Sequence, residues 1–443
     1  MESMRRATML GATAATLASL VFARPADADG AVDVAFESGL WFDGNRFVPR
    51  DVTYVSGGSF IPRPIDGNAL SRVDLGGKFV VPPYGDANTH AFDGDALDDA
   101  LALFLRSGVF YAQNTSDVPK LVTGVRSRID REDSVDVTFA HAGFTSSGGY
   151  PSALARARYV DRLHALAPDE LEGNAYWSID TPSDLARVWP RVLGNRPDFI
   201  ELYLVFSEEF DRRRRGPARA RNGLDPALVA ALASRARAAG LSAHAYVETA
   251  NDVRVALAAG VGRIAGIPGS ALPAPERAMQ FRLEDADAAR AANSGVVFTS
   301  TTAATTSSAA HLRAAIDRVH VANIATLRRH AVPIALGSDA PSATVLDEAR
   351  RLSAIGAMTR AELLRALCVV TPQAIFPTRK LGVLAPGYEA NFLVLDGDPT
   401  ADLGALDAMS LRFKAGRPLI VPDLQRTSGV EMRTERGRVL LGT

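Results

Sequence analysis

Two histidines and two carboxylates lie in or just after short apolar runs, where polar side chains from separate segments can meet. These are His90 in Tyr84-Gly85-Asp86-Ala87-Asn88-Thr89-His90, Glu201 in Phe199-Ile200-Glu201-Leu202-Tyr203, His244 in Ala243-His244, and Asp339 in Gly337-Ser338-Asp339. Two imidazoles with one or two carboxylates form a site for a divalent metal, zinc first, provided the fold brings them together. Taken singly, each histidine fits an ordinary hydrogen-bonded structural role; their joint placement is what points to a site. Tyr203, two residues beyond Glu201, and His141, at the end of another apolar run, are candidates to touch substrate. Arg212 opens the run Arg212-Arg213-Arg214-Arg215. Its guanidinium fork suits a carboxylate or phosphate, although Glu208, Glu209 and Asp211 beside it suit a self-neutralised, solvated loop.

Other chemistries lose their markers. No Gly-x-Ser-x-Gly elbow is present, and the single cysteine, Cys368, lies in an apolar helical stretch, which disfavours nucleophilic Ser or Cys catalysis. Neither Gly-x-Gly-x-x-Gly after a strand nor a P-loop occurs. A net charge of −1 leaves no overall field for nucleic acid or an anionic membrane. The expected partner is a small molecule, with oligomeric state left open by the sequence.

The elements that must carry these residues change texture along the chain. Its 443 residues, 47% hydrophobic and 22% charged, suit a folded protein with room for a barrel and a smaller unit. Arg5-Arg6, an apolar run over 7–23 and Arg24-Pro25-Ala26-Asp27-Ala28 read as a signal peptide over 1–28, cleaved after Ala28 by the Sec or twin-arginine route. This makes the expected location periplasmic or secreted, with no membrane attachment after cleavage. Residues 32–80 alternate apolar and polar as short strands. From 81 onward, apolar runs at 79–86, 109–113, 136–141, 199–205, 242–247, 263–266, 295–300 and 333–337 alternate with helix-like stretches such as 225–239 and 307–330. Eight strands alternating with helices predict an α/β fold, a (β/α)8 TIM-like barrel over 81–382. Strand character returns near 389–395, so 32–80 and 383–425 are expected to form one small β-sandwich domain, followed by a tail over 426–443. In such a barrel, functional residues project from the C-terminal strand ends.

Val73-Asp74-Leu75-Gly76-Gly77-Lys78-Phe79-Val80-Val81-Pro82-Pro83, with the His90 segment after it, resembles the opening of the amidohydrolase superfamily. Gly382-Val383-Leu384-Ala385-Pro386-Gly387 through Asp396 resembles its closing strand, with Ala243-His244 and Gly337-Ser338-Asp339 in the expected order between them. The resemblance, close to imidazolonepropionase and dihydroorotase, implies a metal-dependent hydrolase. Its usual ligands are a His-x-His pair, a carbamylated Lys or a Glu on the fourth strand, a His on the fifth and sixth, and an Asp on the eighth. Carried over, His90, His244 and Asp339 match and Glu201 takes the lysine position. Asn88 replaces the first histidine of the pair, and Gly266 replaces the sixth-strand histidine.

Asn88 offers a neutral amide and Gly266 no side chain, so a two-metal site is not expected. The only lysines are Lys78, Lys120, Lys380 and Lys414, so strands three to eight have none to form a carbamylated bridge. The resemblance leaves two readings. In one, His90, His244, Asp339 and Glu201 hold one divalent metal and Asp339 serves as general base on a C–N bond of an amide or cyclic amide, whereas without metal Asp339 and His244 would be the catalytic acid–base pair. In the other, a catalytically silent relative binds a small ligand at the barrel mouth without metal.

Overall fold

The computed structural model describes residues 32–94, 96–307, 309–419 and 421; the signal-peptide segment and the 426–443 tail lie outside them. Both flanks join in one eight-stranded sheet. Val32–Phe42 pairs antiparallel with Phe47–Ser56 and parallel with Ala69–Asp74 and Phe79–Val81. Phe79–Val81 then pairs antiparallel with Phe392–Leu395, which pairs with Met409–Lys414. The first and last parts of the chain are thus held together by backbone hydrogen bonds. Beneath them Phe36, Trp41, Phe60, Phe392 and Phe413 pack as edge-on and stacked rings. Offset and edge-to-face contacts of this kind add to apolar burial.

Between the flanks, parallel strands alternate with helices, as a TIM-like barrel requires. Strand one is Tyr84–Thr89 and strand two Val109–Asn114. Strand three is broken into Asp136–Phe139 and Gly143–Thr145, because His141 between them turns to φ +59°. Strands four to eight are Ile200–Leu204, Ala243–Val247, Arg263–Ala265, Val297–Ser300 and Ile334–Leu336. A further strand, Tyr176–Ser178, lies beside Gly143–Thr145 and has no counterpart in the expected set. Strand eight reaches strand one through Asp339 N–H donating to the Asn88 carbonyl at 2.8 Å. The approach is close: a Cβ on Gly337 would stand 2.8 Å from the Asn88 nitrogen and Cβ, so only glycine fits there.

Local chemistry starts and stops the outer helices. Asp225 accepts from Ala227 N–H and Pro226 opens Pro226–Ala238. Thr249 and Asp252 form a capping box on Ala250–Ala259, which ends at Gly260 with φ +73°. The Asp252 carboxylate also accepts from the amides of Phe206, Ser207, Glu248 and Thr249, tying the ends of strands four and five together. Lys414, buried, bridges the flank sheet to the barrel through Asp136 and the Arg131 and Ser134 carbonyls. Among the described residues, no helix is long and apolar enough to cross a membrane.

Candidate active site at the barrel mouth

His90 and Asp339 meet. His90 Nε2 lies 3.1 Å from Asp339 Oδ1, while its Nδ1 donates to the Thr115 carbonyl at 2.8 Å. Burial alone would favour the neutral ring, but the hydrogen bond and charge of Asp339 outweigh it, and the His90 pKa is raised. Asp339 itself sits at φ +50°, a left-handed conformation that Asp tolerates better than most residues. Ser116 and Phe206, after strands two and four, share that backbone region. Such positions concentrate where surrounding structure holds side chains in place for a function.

Glu201 comes to the same mouth. Its Oε2 accepts from Ser116 N–H at 3.0 Å, Ser116 Oγ at 3.2 Å and the Tyr203 hydroxyl at 3.1 Å. Burial pushes its pKa up to about 7, against the lowering influence of the His90 charge and these donors. Tyr203 completes a ring cluster. Tyr150 stacks on Tyr246 with centroids 5.3 Å apart, and meets Tyr203 edge-on at 5.6 Å. Beside them a cavity of about 210 Å³ is lined by Tyr246, Glu248, Gly266, Thr301 and Asp339 among others. The Tyr246 hydroxyl donates to Glu248 Oε1, and burial raises the Glu248 pKa to about 7.

His244 is not part of this mouth, which corrects its assignment as catalytic residue and ligand. It pairs in register with Glu201 on the neighbouring strand, but its ring turns to other partners, while Tyr246 holds the position on the same face nearer the C-terminal end. Its Nδ1 accepts from Gln113 Nε2 at 3.2 Å, and its ring stacks on Phe199 with centroids 4.4 Å apart. Burial, then the charge of Arg263, hold its pKa well below the ordinary value. Arg263 in turn donates to Gln113 Oε1 at 2.6 Å and to the Ala374 carbonyl. These groups are an interior polar column.

Two of the expected substrate contacts also fall elsewhere. His141 is buried with Nδ1 2.6 Å from Asp117, Nε2 3.4 Å from Arg126, and its ring stacked on Phe139. Both nitrogens are engaged, leaving none for substrate. Arg212 is exposed and pairs with Glu209 at 2.6 Å, along a separate groove that does not include Asp339. Its loop neutralises itself, as the acidic neighbours allow. Tyr203 alone of the three expected contacts reaches the mouth. Sequence reasoning missed Tyr150, Tyr246, Glu248 and Ser116. Strand alternation through 244, 246 and 248 was the available signal for two of them; Tyr150 arrives from a loop and left none.

These donors do not fit a divalent metal. Asn88, buried, has its amide oxygen occupied by Thr115 Oγ1 at 2.7 Å. Gly266 takes φ +97°, and a Cβ there would stand 3.1 Å from the Val247 carbonyl oxygen. His244 turns to Gln113, one Glu201 oxygen is taken by Ser116 and Tyr203, and His90 and Asp339 engage each other. Among the described residues, no group of three or more His, Cys, Asp or Glu side chains is arranged to hold a metal ion.

A parallel barrel with its polar cluster at the C-terminal strand ends defines the class: an α/β protein of TIM-like form. The sequence profile of the amidohydrolase family matches residues 217–419. Solved structures agree on the fold. An amidohydrolase superposes with a TM-score of 0.65 at 19% identity, covering 89% of this chain and 100% of its own. Ochratoxinase of A. niger gives 0.66 at 15% identity, covering 88% and 96%. Molinate hydrolase gives 0.68 at 18% identity, covering 91% and 100%. No curated protein matches the sequence at a significant level. Over residues 217–419 the chain is similar to the amidohydrolase family, and across most of its length it shares the fold of these structures.

Proposed function

We propose that this protein takes a small molecule at its barrel mouth and works there without a resident metal. The observation that supports this most directly is the direct pairing of His90 Nε2 with Asp339 Oδ1, where the resemblance implies that both would face a metal. Tyr246 and Gly266 beside the pair supply no imidazole to complete a donor set. Of the two readings left by the sequence, this favours the ligand-binding relative over the one-metal hydrolase. Metal analysis of protein purified without chelator tests it, before and after incubation with zinc or manganese. Content near zero in both samples is expected; one tightly retained equivalent would overturn the proposal.

A second reading, hydrolysis of a C–N bond by side chains alone, is favoured by the placing of Asp339 and Glu201 on either side of His90, which pairs with the first and lies within charge range of the second. Glu201 keeps its proton up to about pH 7. Water would attack the substrate carbonyl, giving its proton to Asp339 as the C–O bond forms. Glu201 would protonate the leaving nitrogen as the C–N bond breaks. Turnover of N-acyl amino acids or dipeptides in the presence of chelator, lost in Asp339→Asn, is the expected result. Turnover that survives Asp339→Asn would sink this reading. We also read the flank sheet as folding over its ring cluster into a sandwich, and the chain as exported.

A further inference from the structure

The cavity beside the His90–Asp339 pair has a charge and a wall composition that specify more than a small molecule. Its described lining contains two carboxyl groups, Glu248 and Asp339, and neither lysine nor arginine. Glu248 is 8% exposed. One of its oxygens accepts from the Tyr246 hydroxyl, while Oε2 is shielded from water and makes no hydrogen bond of ordinary geometry. The Ala271 amide is the nearest backbone donor and lies close enough to lower the carboxyl's proton affinity somewhat. A buried carboxylate oxygen without a donor is costly, and a charged N–H group relieves that cost best.

The aromatic residues add an independent argument. Tyr246 lines the cavity, and Tyr150 and Tyr203 pack against it within 6.1 Å of one another by ring centroid. Tyr246 is only partly buried and lines the cavity, and Tyr150 stacks behind it. Ring faces carry negative charge density and attract a cation above them. The positive groups near the mouth have partners: His90 pairs with Asp339, and Arg158, which donates to the His90 carbonyl, pairs with Asp93.

We propose that the mouth is a receptor for a small organic cation, a primary or methylated ammonium group, seated between Glu248 and Asp339 against the Tyr150–Tyr246 rings. The proposal rests on the metal-free reading and names the ligand class for that same site. The remaining lining is small or apolar, with Gly266, Ile267, Ala271 and Ala304, so the group beyond the ammonium is short and uncharged. An anion would meet Glu248 beside the His90–Asp339 pair, with no guanidinium in the described lining.

Chelator-treated full-length protein is titrated by calorimetry with three probes of one shape: n-pentylammonium, n-pentanol and n-pentanoate. Tetramethylammonium is added as a fourth. The ammonium probe is expected to bind at least about tenfold more tightly than the alcohol, with the carboxylate weakest. In Glu248→Gln that preference falls by roughly ten- to hundredfold, while alcohol binding stays as it was. Equal affinity for the three matched probes in the wild-type protein overturns the proposal, whether or not the variant folds. Preference for the carboxylate, or an undiminished ammonium preference in a folded Glu248→Gln, overturns it too. Zinc alone is titrated in parallel. Stoichiometric uptake of zinc defeats the metal-free reading, whereas indifference to probe charge in protein free of metal defeats the ammonium assignment alone.

Discussion

Glu248→Gln makes a prediction about stability that needs no ligand. Glu248 is almost wholly buried and its pKa rises from an ordinary 4.5 to about 7, because burial disfavours the charged form. Between those values the folded protein holds a proton that the unfolded chain has released. Stability therefore falls as pH rises through this window, with no cost below about 4.5 and the full cost above about 7. At about 1.4 kcal/mol per pKa unit, the shift amounts to about 3 kcal/mol. Glutamine keeps the oxygen that accepts from Tyr246 and cannot ionise. Urea unfolding of both proteins at pH 5 and pH 8, followed by the fluorescence of Trp177 and Trp189 in the barrel, gives the comparison as a difference of differences. Glu201 and Asp86, also raised to about 7 by burial, tilt both profiles alike and cancel. The variant should gain about 3 kcal/mol on the wild type between the two pH values. Wild-type and variant profiles that run parallel would refute the burial argument for this carboxyl.

His244→Ala should leave metal content and ammonium binding unchanged within a few-fold. It should cost about 2–4 kcal/mol of stability, because Phe199 loses a stacked ring and Gln113 an acceptor; titration and urea melts check both. Gly337→Ala should destabilise by about 1–3 kcal/mol through collision with Asn88, read as a lowered thermal midpoint. Expressed with its own leader, the secreted product should begin at Asp29, which N-terminal sequencing determines.

The alternation of apolar runs with helical stretches made the barrel legible, because burial on both faces of a parallel strand leaves a continuous apolar signature. His90 and Asp339 were legible for a related reason: each follows such a run, and strand ends converge at one mouth. His244 shows where the pattern stops informing. Residues 244, 246 and 248 share one face of a strand, and the period of two says nothing about which layer reaches the opening. Glu201, the register partner of His244, turns to Ser116 at the mouth while His244 turns to Gln113, so side-chain direction decides. His141 was misjudged because a left-handed turn interrupts its strand. Arg212 was misjudged because ion pairing with Glu209 is decided by side-chain geometry and not by the charge run itself. Tyr150 joins the mouth through a long-range contact that no local pattern encodes.

Gly266 makes an imidazole hard to restore at this mouth. At φ +97° its backbone occupies ground that a side-chain-bearing residue resists, and the Val247 carbonyl closes off the space where a Cβ would go. A single exchange of glycine for histidine would therefore not return an imidazole to the opening; strand six would have to rearrange as well. With the Asn88 amide oxygen also taken by Thr115, more than one position separates this barrel from a metal-holding one. Small steps from here lead more readily to reshaping the tyrosine and carboxyl walls than to regaining an ion, and an engineer wanting a metalloenzyme from this scaffold should redesign strand six before grafting ligands onto it.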